Sequence, residues 1–78
     1  MEIFEINDNT IQYNDITMKK ARDFSFEGKE YIEFRNIKEH LFIVMEKITD
    51  NVCIQILDNK LRNRIMEIYF KKETDYIE

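Results

Sequence analysis

Residues 36–57 read NIKEHLFIVMEKITDNVCIQIL, and the fold turns on whether the first half of this stretch is helix or strand. Two readings compete. Asn36 followed three residues later by Glu39 is a capping box. Ile37, Leu41, Val44, Met45 and Ile48 then recur at helical spacing. Against this, Phe42-Ile43-Val44 has strand propensity. Residues 41–48 could fold back on 52–57 across Asp50-Asn51, and 52–57 reads as a strand in either case. The hairpin is the expectation adopted, because a meander of short antiparallel strands needs only short loops, and this chain has only short loops.

Upstream, Phe24-Ser25-Phe26 alternates, Glu27-Gly28-Lys29 turns, and residues 30–35 alternate again. Gly28 is the single glycine, placed where a tight hairpin needs positive φ. A hairpin is therefore predicted over 23–26 and 30–35. Residues 17–23, TMKKARD, either extend a preceding strand or form one helical turn capped by Thr17. At the start of the chain, 1–6 and 10–16 are apolar-rich and flank Asn7-Asp8-Asn9, which predicts strand, turn, strand.

Downstream, the period changes to 3.6 from Asn59. Leu61, Ile65, Ile68 and Tyr69 share one face, joined by Met66 and Phe70; Lys60, Asn63, Arg64, Glu67 and Lys71 share the other. Asp58 or Asn59 can cap the start, and Lys71 and Lys72 suit the negative end of the helix dipole. Residues 73–78 are expected to fray. The predicted fold is α+β: one domain over 1–78, an antiparallel meander of four to six strands covered by one C-terminal amphipathic helix.

Composition narrows the function classes. A chain of 78 residues buries only about 60–65% of its unfolded surface, so its stability is small. A homodimer would be one way to add to it. The hydrophobic content of 44% is enough for a core and argues against disorder. One cysteine, Cys53, permits no internal disulfide. The start, MEIFEINDNT, does not look like a signal peptide, and the longest apolar run is 41–45, far short of the ~20 residues of a membrane span. The expected location is the cytoplasm, with no membrane contact. Usage rich in Ile, Asn, Lys, Glu and Asp suggests an AT-rich genome such as a low-GC bacterium, its phage or a mobile element. For a phage protein the location would be the host cytoplasm.

No catalytic set is legible. Ser25, His40 and Cys53 are each the only residue of their kind, and nothing local joins them into a triad or dyad. Cys53 lies in an apolar strand, where an inert thiol is the common case. One Cys and one His make no four-ligand zinc site, no calcium loop is present, and one glycine makes no phosphate-cradling loop. No cofactor or metal is expected, and the chain is read as a non-enzyme.

The charge pattern carries the remaining leads. The formal net charge is -4, yet residues 60–72 hold five Lys or Arg against one acidic residue. A solvated helix face explains such a run by itself. A nucleic-acid reading would use Lys60, Arg64 and Lys71, extended by Lys19, Lys20 and Arg22. The leading expectation is protein recognition, as in phage or mobile-element proteins that inhibit or regulate host enzymes. The predicted contact face is the acidic hairpin: Asp23, Glu27, Glu30 and Glu33 around aromatic anchors Phe26 and Tyr31, flanked by Phe24 and Phe34.

Overall fold

The computed structural model describes residues 2–70. Six strands and a short helical segment follow one another: β1 (Ile3–Glu5), β2 (Thr10–Tyr13), β3 (Ile16–Phe26), β4 (Lys29–Asn36), β5 (Leu41–Thr49), β6 (Val52–Gln55), α1 (Asn59–Ile65) and a π-helical turn, Met66–Phe70. The fold is mainly β, with the helical part smaller than an α+β reading implies. All strand pairs are antiparallel, in the order β1-β6-β5-β4-β3-β2.

The deciding stretch is a hairpin. β5 and β6 pair from Thr49↔Val52 to Met45↔Gln55 across Asp50-Asn51. The capping signal at Asn36 is real but serves a turn: the Glu39 backbone N–H donates to Asn36 Oδ1 at 2.9 Å, and the chain reverses through His40 at φ 55° into β5. A capping box marks only the first turn, and the strand-forming run that follows overrides it.

Turn chemistry sets the other reversals. Glu27 and Gly28 both take positive φ between Phe26 and Lys29. Asn14 and Asp15 do the same, at φ 50° and 66°, and close the Tyr13↔Ile16 pair. The expected single strand over 10–16 is thus two strands with a turn between them. Residues 17–23 are extended within β3, interrupted by a bulge between Lys20 and Arg22. The first turn, at Asn7-Asp8-Asn9, forms as expected, but β1 does not run along β2. It pairs with β6 (Ile3↔Ile54, Phe4↔Cys53, Glu5↔Val52).

That pairing curls the sheet toward a barrel. Its two outermost strands meet at the Asn7–Thr10 bridge, and the Phe4 and Tyr13 rings lie 5.7 Å apart. The interior is filled by Phe4, Ile6, Ile11, Met18, Ile32, Phe34, Met45 and Cys53. A second cluster lies on the outer face beneath the helix: Phe26, Tyr31, Val44, Ile56 and Ile65, with Phe24, Leu61, Met66 and Tyr69 packed against it. β4 serves both. Ile32 and Phe34 point inward, Tyr31 and Glu33 outward, and all four are buried. Among the described residues no helix is long and apolar enough to cross a membrane.

Asp58 is the helix cap, its Oδ1 accepting from the backbone N–H groups of Lys60 and Leu61. The helical stripe holds for Leu61, Ile65 and Tyr69 but fails at Ile68, which is 63% exposed. The π-helical turn is the reason. Its wider winding shifts the side chains past Met66 relative to an α-helix. The predicted fraying over 73–78 lies outside the described residues.

Candidate functional site

The predicted hairpin face does not present its aromatic anchors. Phe26 and Tyr31 are buried under the helix. Phe24 stacks on Tyr31 with ring centroids 5.6 Å apart and meets Tyr69 at 4.6 Å, and Phe34 belongs to the barrel interior. Tyr31 titrates above its usual range because it is buried, with Glu46 and Glu27 nearby adding to the effect. An alternating aromatic pattern shows that one face is buried, not which one, and here the helix covers the face carrying Tyr31.

Glu33 is also not a surface charge. Its carboxylate is closed off from solvent and held by two guanidinium groups, Arg22 Nε at 2.8 Å and Arg35 Nε. Arg22 reaches on to the Tyr69 carbonyl at 3.4 Å and lies over the Phe24 and Tyr69 rings. This cluster pins the sheet to the helical segment.

Asp23, Glu27 and Glu30 stay at the surface. Asp23 pairs with Lys20 at 2.7 Å, and Glu27 pairs with Arg64 at 2.9 Å. The hairpin's acids therefore serve in part to neutralise neighbouring cations.

The same pairings thin out the basic stripe. Arg64 is tied to Glu27, which raises its pKa further, while Lys20 and Arg22 are tied to Asp23 and Glu33. Lys71 lies outside the described residues. Lys19, Lys38, Lys60 and Arg62 make no ion pair among the described residues.

Arg62 stands apart because it lines a cleft. β6 spans four residues against nine in β5, so no β6 residue accompanies the first part of β5. The chain leaves the sheet at Ile56 and enters α1 at Asn59. The space left open is a cleft of about 280 Å³ lined by Tyr13, Phe42, Ile43, Val44, Gln55, Ile56, Arg62, Asn63 and Met66. Apolar side chains make up most of this lining, and its polar groups are neutral except Arg62. Among the described residues no carboxylate lines it. Gln55 Nε2 donates to Tyr13 Oη at 3.2 Å, and an Arg62 guanidinium N–H donates to Asn59 Oδ1 at 2.6 Å. The volume falls just below the ~300–1,000 Å³ usual for small-molecule sites, which suits one or two side chains better than a large cofactor. Exposed apolar residues adjoin it in sequence: Leu41 precedes Phe42, and Leu57 follows Ile56.

This site has no local sequence signal. Its residues come from β2, β5, β6 and the residue after it, α1 and the π-helical turn, and they converge because β6 is short. The residues considered for chemistry do not converge. Cys53 is buried in the barrel, where burial pushes its thiol from 9.0 up to about 11. His40 sits on an exposed turn. Among the described residues no three His, Cys, Asp or Glu side chains group as metal ligands. No protein-family model, curated protein or solved structure matches this chain.

Proposed function

We propose that the chain is a small binding protein that inhibits or regulates a partner protein by direct contact, with the β5–β6–α1 cleft as the anchoring site. The observation that carries this reading is the cleft itself: an open, largely apolar depression with neutral polar groups and one cation unpaired among the described residues, whose lining residues Phe42 and Ile56 are neighboured in sequence by exposed Leu41 and Leu57. Protein interfaces place a few large side chains in such pockets and surround them with a polar rim. The AT-rich residue usage and small size fit a phage or mobile-element protein acting in a host cytoplasm.

The contact face differs from the acidic hairpin that the sequence suggests, because Phe26, Tyr31 and Glu33 are buried. Two variants separate the faces. Asn63→Trp fills the cleft, and Asp23→Lys with Glu30→Lys reverses the accessible hairpin acids. Each is checked for folding by circular dichroism. In affinity capture from cell lysate, the expected result is a discrete partner held by wild type and by the hairpin variant but lost by Asn63→Trp. A partner that Asn63→Trp retains and the hairpin variant loses would return the contact to the hairpin.

A further inference from the structure

We infer that the cleft recognises a carboxylate-bearing peptide segment, with Arg62 as the group that receives the carboxylate. The inference rests on the protein-contact reading and adds the chemistry of the partner. The protein carries more acids than bases, 16 against 12, so carboxylates to pair with a surface cation are in excess. Lys20, Arg22, Lys29, Arg35, Lys47 and Arg64 each have one within 4.0 Å. Among the described residues Lys19, Lys38, Lys60 and Arg62 do not, and of these four Arg62 alone lines the cleft.

Its surroundings suit an external anion. Among the described residues the one side-chain hydrogen bond Arg62 donates is to a neutral amide oxygen on Asn59, from one terminal nitrogen. A guanidinium has five N–H donors in a planar fork that matches a carboxylate. Lys60, two residues earlier, lies off this face by helical spacing and does not compete. The apolar part of the lining, with Ile43, Val44, Ile56 and Met66, would take the neighbouring side chain of the same segment. The segment is thus an apolar residue next to Asp, Glu or a C-terminal carboxylate. A nucleic-acid phosphate is the competing anion, but of the described cations that would extend such a footprint Lys20, Arg22 and Arg64 are already paired, which leaves only Lys19 and Lys60.

The test uses the full chain, immobilised and panned against a random library of linear 12-residue peptides. Recovered peptides are labelled and titrated by fluorescence anisotropy against wild type, Arg62→Lys, Arg62→Glu and Asn63→Trp. Enrichment of Asp, Glu or a free C-terminus beside an apolar residue is expected. Affinity should fall 10- to 100-fold with Arg62→Glu, the range of one charge-assisted contact, and less with Arg62→Lys. Amidating the C-terminus and changing Asp or Glu to the amide separate the two carboxylate sources. Peptides without acidic enrichment that bind Arg62→Glu as well as wild type, yet not Asn63→Trp, would overturn the carboxylate inference and leave the protein-contact reading standing. Recovery of no cleft-dependent peptide, with salt-sensitive binding of mixed-sequence single-stranded RNA instead, would overturn both.

Discussion

Arg22 and Glu33 face each other across the β3–β4 pair, Nε to Oε1 at 2.8 Å, with the carboxylate sealed from water and the guanidinium half exposed. Arg35 completes the arrangement from the next outward position on β4. Removing the carboxylate leaves two cations aimed at a dry site; removing one arginine leaves the other in place. Glu33→Gln is expected to cost about 2–3 kcal/mol, below the ~3–5 for fully buried pairs because both arginines reach solvent, and Arg22→Met about half as much. Urea unfolding midpoints check both. Equal effects of the two variants would mean that the carboxylate is not the centre of the cluster.

The π-helical turn separates two adjacent apolar residues. Tyr69 donates its hydroxyl to the Ser25 carbonyl at 2.7 Å and packs on Phe24, whereas Ile68 is 63% exposed. Tyr69→Ala should destabilise by about 2–3 kcal/mol and Ile68→Ser by less than about 0.5. A regular α-helix would place both inward and make both costly, so comparable losses in a thermal melt would rule out the π winding.

Cys53 predicts a pH dependence. Its thiol is raised from 9.0 to about 11 in the folded protein, so the folded state holds the proton more tightly than the unfolded chain does. This contribution is intact below pH 9 and is lost as pH rises toward 11. The stability of wild type relative to Cys53→Ala should therefore shrink over that interval by on the order of 2 kcal/mol. Below pH 9 a thiol-specific reagent should label Cys53 only at the rate of global unfolding. Rapid labelling of folded protein at pH 8 would contradict its burial.

The Asn14-Asp15 turn can be improved. Asp15 sits at φ 66°, a left-handed conformation that Asp tolerates but Gly adopts without any Cβ penalty, and it is exposed. Asp15→Gly creates Asn-Gly, the preferred pair for this hairpin, and should stabilise by about 0.5–1 kcal/mol. The converse change, Gly28→Ala at φ 81°, should cost a similar amount although its Cβ would meet nothing within 4 Å. Melting temperatures that move in the same direction for both would refute the turn assignment.

What could be read in advance follows the range of the interactions. The Gly28 and Asp50-Asn51 hairpins and the Asp58 cap are local, and their turn and cap residues announce them. The break at Asn14-Asp15 is equally local, but the apolar residues on either side conceal it as one strand. Glu33 is hidden by guanidinium groups from β3 and β4 that meet only after folding, so its charge suggests a surface position. Tyr31 and Phe26 obey the alternation of their hairpin, yet alternation does not say that a distant helix will cover that face. The cleft depends on the difference in length between β5 and β6, a property of two strands and of no single residue pattern.

The β1–β6 pairing has a kinetic consequence. Four successive hairpins from β2 to β6 join near neighbours in the chain and need only short loops to close. Ile3↔Ile54 instead spans almost the whole described chain. Its closure carries the largest chain-entropy cost and is rewarded only once β6 exists as a template. The N-terminal strand is thus the last stave to be set. Until it docks, Cys53 lies along the open edge of β6, and the folding chain stays vulnerable to self-association until β1 finds that edge.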